Sequence, residues 1–238
     1  MTNQIDKVND QSKTINIFGE VVSLNNLLGI LISLLIFFFC FAIAEQHVAS
    51  GLNKRIFYDI NNLSNSFKNV ALFITEGLGA AYPIIVCVLV PAIFKRWRLA
   101  WRFFVTVGGA GVLMEIVKVI AKQPRPNVLL QGHLNVRAVE KGLTSFPSGH
   151  QSVATAMALT LWLILPTKWR FLSVIWIILV AVSRVYLGVH MPIDVLGGFA
   201  IGLFMFYAVK LLPTKLAKLF YLDKEELLLE PQDLKISK

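Results

Sequence analysis

Apolar and polar positions in this chain fall into long blocks, not into short alternations. After a polar start come six apolar runs, at 24–44, 69–94, 99–120, 149–166, 171–189 and 192–212. Most approach the roughly 20 residues that carry a helix across a hydrocarbon core of about 30 Å. Lipid offers a bare backbone no hydrogen-bond partner, so runs of this length are expected as helices. The fourth run is shorter and carries Ser and Thr, which leaves its ends least defined. The pattern predicts an all-α, polytopic membrane protein with six transmembrane helices. It divides the chain into a polar tail (1–23), a six-helix domain (24–212) and a mixed-charge, amphipathic or loosely ordered tail (213–238).

Composition agrees with the pattern. The 238 residues are 56% hydrophobic and only 16% charged, where a soluble domain carries about a quarter. Ala42-Ile43-Ala44 resembles a signal-peptidase site. The apolar run before it is longer than the roughly 7–15 residues of a cleaved signal, so the first run reads as an uncleaved anchor. Cys40 and Cys87 each lie inside an apolar run and form no CxxC; they read as small buried hydrophobes.

Charge orients the chain. The net charge of +9 suits nucleic acid, anionic lipid or an anionic substrate. The basic residues are split between apolar runs and form no stripe, so nucleic acid is not expected as a partner. Lys95-Arg96-Trp97-Arg98 and Lys168-Trp169-Arg170 are short, basic and Trp-bearing, the marks of cytoplasmic connections. Both termini are then expected in the cytoplasm. The 121–148 loop and the 184–190 turn share the outer face.

Three polar islands sit at that face. The first is KVIAKQPRP, Lys118 to Pro126. Arg125 stands between two prolines that stiffen its backbone, and a guanidinium so held suits bidentate contact with phosphate oxygens. The plainer reading is basic side chains snorkelling to the interface. The second is FPSGH, Phe146 to His150. Ser148 reads as an N-cap, with Gln151 completing a capping-box pattern. Gly149 and the free N–H groups make an anion site at which His150 would point; taken alone, this island reads better as an ordinary capped helix with an interfacial histidine. The third is SRVYLGVHMPID, Ser183 to Asp194. His190 and Asp194 are four apart, neighbours on a helical turn. A carboxylate there can fix one imidazole tautomer and leave the other nitrogen a free lone pair, or the pair can simply lock two helices. Together the islands supply three cations, two hydrogen-bond donors and two histidines, and ionisable groups at membrane depth are candidates for function.

These islands resemble the three motifs of the type 2 phosphatidic-acid phosphatase superfamily, which also holds vanadium haloperoxidases and glucose-6-phosphatase. The patterns K-x6-RP, PSGH and SR-x5-H-x3-D match at Lys118, Arg125-Pro126, Pro147-Ser148-Gly149-His150, Ser183-Arg184, His190 and Asp194. The resemblance covers roughly 70–212. It implies an active site at the outer ends of helices 3–6, with His190 as nucleophile, Asp194 orienting it, and His150 as acid and then base. Lys118, Arg125, Arg184, Ser148 and the Gly149 N–H would hold the phosphate.

No metal or other cofactor is expected, because three cations already neutralise the phosphate. The implied substrate is a lipid phosphate or diphosphate, undecaprenyl diphosphate first, with phosphatidylglycerol phosphate and phosphatidic acid as alternatives. A bacterial plasma membrane is the expected location. A different class, a non-catalytic protein binding an anionic headgroup, needs the cations but not the poised histidine. Glu115 is expected to pair with Lys118 at i,i+3, Glu76 to face the helix bundle, and His47 to lie at the interface. His133, Arg137, Glu140 and Lys141 are either headgroup contacts or, as loop charges usually are, simply solvated.

Overall fold

The computed structural model describes residues 14–17, 20–46, 51–79, 81–140 and 142–212. His47, Lys141, most of the N-terminal tail and the 213–238 tail lie outside them. The described residues form eight long helices: α1 (Leu24–Ala44), α2 (Gly51–Asn61), α3 (Lys68–Gly79), α4 (Ala81–Ile93), α5 (Trp97–Ala121), α6 (Gly149–Ile164), α7 (Phe171–Tyr186) and α8 (Pro192–Lys210). One short antiparallel pair, β1 (Thr14–Ile17) and β2 (Glu20–Ser23), precedes α1. It falls in the segment expected as a polar tail, where TINI and EVVS carry the β-branched residues that suit a ribbon.

Among the described residues, four stretches are long and apolar enough to cross a membrane: Leu24–Ala44, Trp97–Ala121, Thr167–Tyr186 and Pro192–Lys210. The expected second span is instead two helices. Asn65–Gly79 and Ile84–Ile93 meet at 45°. Gly77, Gly79 and Pro83 cluster at the join, and Pro83 falls in the first turn of α4, where its missing N–H costs nothing. The fourth expected span, α6, has only 16 residues.

Exposure explains why this chain belongs in lipid. Leu31, Leu35, Phe38 and Phe39 of α1, Ile85 and Leu89 of α4, Ile116 and Val119 of α5, and Ile178 of α7 are all exposed. Contiguous apolar surface on this scale is not tolerated in water. The core is the opposite case. Helix α8 packs against α1, α5 and α6, and the contact with α6 is made by glycines. A Cβ on Gly202 would meet the Ser152 carbonyl oxygen at 2.6 Å, and one on Gly198 would overlap the Ser148 carbonyl oxygen. Small residues at such a seam let two backbones approach closely. Phe146, fully buried, sets its ring tilted at 6.0 Å from Phe37 and edge-on at 6.1 Å from Phe41, and so ties α1 to the start of α6.

Helix α2 was not expected from the sequence. It is amphipathic, with Phe57 and Asn61 buried. Asn61 donates to the Asn135 and Tyr186 carbonyls and accepts from the Asn135 N–H. It thereby fastens the 127–145 loop to the end of α7.

Candidate active site

The three islands meet where α5, α6, α7 and α8 end on one side of the bundle. Backbone bonds join them pairwise. The Ser145 N–H donates to the Gln123 carbonyl at 2.7 Å, beside a single bridge between Pro124 and Thr144. The Ser148 N–H donates to the Asp194 carbonyl at 2.9 Å. Arg125 completes the ring: its Nη1 donates to the Val189 carbonyl at 3.1 Å and its Nε to the Gly142 carbonyl at 2.6 Å. The prolines flanking Arg125 hold it extended, as expected, at φ −71° and ψ 160°.

The turn from α7 to α8 brings in the histidine. Gly188 sits at φ +77°, and a Cβ there would lie 2.6 Å from the Asn135 carbonyl oxygen. Only glycine fits both the conformation and the space. Beyond it, His190 and Asp194 are 2% and 0% exposed. Their Nδ1 and Oδ2 atoms stand 3.5 Å apart. The Ser145 hydroxyl lies between them, donating to Asp194 Oδ2 and standing 3.3 Å from His190 Nδ1. The Met191 N–H donates to the same Oδ2 at 2.8 Å. The expected His–Asp pairing is therefore mediated by a serine that carries no sequence signature. Nε2 of His190 is the nitrogen left facing away from this group.

Around His190 stand the cations. Burial first, then Arg184, Arg125 and Lys118, hold the His190 imidazole well below its ordinary value, so it is neutral at pH 7 with its lone pair available. Arg184 is 1% exposed. Lys118 lies beside Gly149, where a Cβ would stand 3.7 Å from its Nζ. His150 packs on Gly79, whose Cβ position is 3.2 Å from the His150 Cβ. Ser148 Oγ and Arg184 Nε are buried without a hydrogen-bond partner. Two buried donors without a protein acceptor, set beside a cation cluster, suit the oxygens of an anion.

Residues 99–218 match the PAP2 superfamily. An undecaprenyl-diphosphatase of Sulfolobus acidocaldarius is 34% identical over 163 residues, 66% of this chain and 76% of that protein. The chain belongs to the PAP2 superfamily. Its enzyme class is accordingly phosphatase. Two solved structures share the fold: LpxE of Aquifex aeolicus (TM-score 0.60, 26% identity, covering 67% of this chain and 94% of that one), and a PAP2-type phosphatidylglycerolphosphate phosphatase of Bacillus subtilis (TM-score 0.58, 26% identity, covering 75% and 94%).

Several expectations for this PAP2 chain need correction. Ser148 occupies the N-cap of α6 but makes no side-chain cap bond. Gln151 does not complete a capping box; its amide donates to Thr155 Oγ1 and to the Ile177 carbonyl, partners that the helix interior offers and a spacing rule does not weigh. Arg137 is not solvated. It donates to Asn65 Oδ1 and to the Asn61, Leu63 and Tyr186 carbonyls, and lies 4.2 Å from the centre of the Tyr186 ring. Glu140 is not a free loop carboxylate either: it accepts from Arg184 Nη2 and stands 4.0 Å from Arg125 Nη2. Burial works to raise its pKa, but Arg184, His150 and Arg125 prevail and hold it below the usual carboxylate range. Glu115 does pair with Lys118, at 3.6 Å.

Ser145 gives a direct test of the mediated pair. Ser145→Ala is expected to lower kcat about tenfold and leave KM unchanged, since it removes a hydrogen bond to a charged group but no substrate contact. Ser145→Thr, which restores the hydroxyl, should recover much of the rate. A loss through KM alone would contradict the positioning role.

Proposed function

We propose that this chain is a metal-independent membrane phosphatase that cleaves the phosphate ester or diphosphate of a lipid headgroup, with undecaprenyl diphosphate as its substrate. The observation that carries the reading is the neutral, buried His190, backed by Ser145 and Asp194 and ringed by Lys118, Arg125 and Arg184. A protein that only binds an anion has no use for a nucleophile so prepared.

In this reading the reaction runs as two displacements at phosphorus. His190 Nε2 attacks phosphorus in line, and the bond from phosphorus to the leaving oxygen breaks. His150, which takes up a proton from solvent as the anionic phosphate binds beside it, passes that proton to the leaving oxygen. Asp194 stabilises the positive charge that forms on the imidazole. The bound phosphohistidine is then attacked by water, whose proton passes to His150, and phosphate leaves with His190 restored. Lys118, Arg125, Arg184, Ser148 and the Gly149 N–H hold the three equatorial oxygens as charge shifts. Among the described residues no three His, Cys, Asp or Glu side chains converge as metal ligands.

Support for a lipid substrate comes from the surroundings. A cleft of about 450 Å³ between α1 and α8 is lined by Leu35, Ile36, Phe39, Cys40, Leu196 and Phe199. It starts within one turn of Asp194 and gives an apolar chain somewhere to lie. The undecaprenyl-diphosphatase relative favours the diphosphate. The Bacillus fold neighbour makes phosphatidylglycerol phosphate the second reading. We place the site on the outer face of a bacterial plasma membrane, with six membrane segments and both termini inside, because the basic, Trp-bearing connections lie at the opposite ends of the helices.

The test is phosphate release by the purified chain in detergent. Undecaprenyl diphosphate, phosphatidylglycerol phosphate and phosphatidic acid are offered side by side, with and without chelator. Release undiminished by chelator, fastest from the diphosphate, is expected. Loss with chelator would overturn the metal-free reaction, and no release from any lipid would overturn the phosphatase reading. Intact cells given a short-chain lipid phosphate should hydrolyse it; hydrolysis only after permeabilisation would reverse the orientation.

A further inference from the structure

Glu140 takes no part in the reaction as derived, yet its carboxylate sits on the two arginines assigned to the phosphate. Arg184 and Arg125 both reach it. We propose that Glu140 is a built-in competitor for the phosphate position: it occupies the arginine pair in the empty site, yields to the substrate's phosphate group, and returns to expel inorganic phosphate after hydrolysis. The proposal rests on the phosphatase reading above.

Three observations carry it. First, the occupation is incomplete. Arg184 Nε stays buried and unpartnered, so a single carboxylate uses only part of the guanidinium fork. A phosphate group with two charges and three free oxygens can satisfy more of these donors. Exchange toward the substrate is therefore favourable, and the carboxylate is the weaker but permanent rival.

Second, Glu140 lies between anchored residues but outside any helix or strand. Arg137 is bonded to Asn61, Leu63, Asn65 and Tyr186 on one side. Thr144 and Ser145 are bridged to Pro124 and Gln123 on the other. Between them the described residues have no helix or strand, and Val139 and Leu143 are 93% and 89% exposed. Gly142 is held by Arg125 Nε and Ala138 packs beside Tyr186 and Leu187, so Glu140 leaves the arginines by rotation of its side chain, which unpacks no helix.

Third, the tether sets the balance. A group on a short flexible link competes at an effective concentration of about millimolar. Free phosphate near that level is held off. A lipid substrate, concentrated in the bilayer and held also by its tail, is not.

The experiment measures inhibition by inorganic phosphate in the lipid-phosphate assay, and phosphate binding to the full chain without substrate, for wild type, Glu140→Gln and Glu140→Ala. Thermal denaturation of each protein reports folding. In both variants phosphate should bind and inhibit at least about tenfold more tightly, with a lower KM for the lipid. Unchanged or weaker phosphate binding in a folded variant would make Glu140 a support for the arginines and overturn the proposal. If neither variant folds, Glu140→Asp takes their place: its shorter arm should weaken the competition and tighten phosphate binding severalfold, and unchanged binding in that folded variant overturns the proposal. Lipid hydrolysis with unchanged inhibition removes this proposal alone. Absence of both hydrolysis and phosphate binding in every form removes the phosphatase reading along with it.

Discussion

Replacing His190 with alanine is expected to cut hydrolysis of a lipid phosphate by at least about 10⁴-fold. The size follows from the role. Cations and donors that remain can still hold the phosphate, but no other nitrogen faces it with Asp194 and Ser145 behind. The ligand-free imidazole is neutral because burial and three neighbouring cations oppose its protonation, so the wild-type nucleophile is not lost as pH falls through the ordinary histidine range. Phosphate affinity should survive the change or improve, since the cation cluster is untouched. Kinetics on lipid substrate, with acid-quench trapping of a labelled phosphoenzyme, provides the check. Label retained by His190→Ala, or activity above about 1% of wild type, would move the nucleophile elsewhere. Asp194→Asn keeps the shape but not the charge. It should lose less than His190→Ala, because it orients and stabilises but forms no bond to phosphorus.

The second large effect is expected far from any reacting atom. Gly198→Ala places a methyl group where the Ser148 carbonyl oxygen already lies, with Gln151 Cβ 3.0 Å away. The obstacle is backbone, which cannot rotate aside. Overpacking of this kind costs about 1–3 kcal/mol, and the strain falls on the first turn of α6, which presents Ser148, Gly149 and His150. Melting temperature in detergent and kcat should therefore fall together. Gly108→Ala and Gly111→Ala are the controls, because a Cβ at either meets nothing within 4 Å. A Gly198→Ala protein with wild-type melting temperature and rate would mean that the α6–α8 seam has slack the geometry does not reveal.

The helical membrane fold was legible because its signal is long. Blocks of apolar residues near twenty long survive any uncertainty about their ends, and all six expected runs map onto one helix or helix pair each with ends shifted by only a few residues. The gathering of the islands was legible for a related reason: Lys118, Arg125, His150, Arg184, His190 and Asp194 all lie at helix ends, and a short turn or loop puts such ends on one face. What could not be read depends on contacts between distant positions. Ser145 reaches Asp194 across 49 residues, and one serine in a loop looks like any other. Arg137 and Glu140 looked solvated because loop charges usually are; their partners lie on α2, α3's approach and α7. Helix α2 was missed because eleven mixed residues make no lipid signal, and its amphipathic face matters only once Phe57 and Asn61 have something to bury against. The capping-box error has the same origin: Gln151 obeyed the local spacing, and a buried tertiary partner outbid it.

The shortness of α6 has a consequence for depth. Sixteen residues rise about 24 Å, against about 30 Å of hydrocarbon. In the orientation proposed above, Lys168, Trp169 and Arg170 hold its far end at the inner headgroups, and the turn that bears Ser148, Gly149 and His150 stops about 6 Å beneath the outer ones. A substrate in the proposed orientation must therefore sink below the plane of its neighbours, or the leaflet must thin around the protein. Hydrophobic mismatch at α6 would then act on a lipid before its headgroup is recognised.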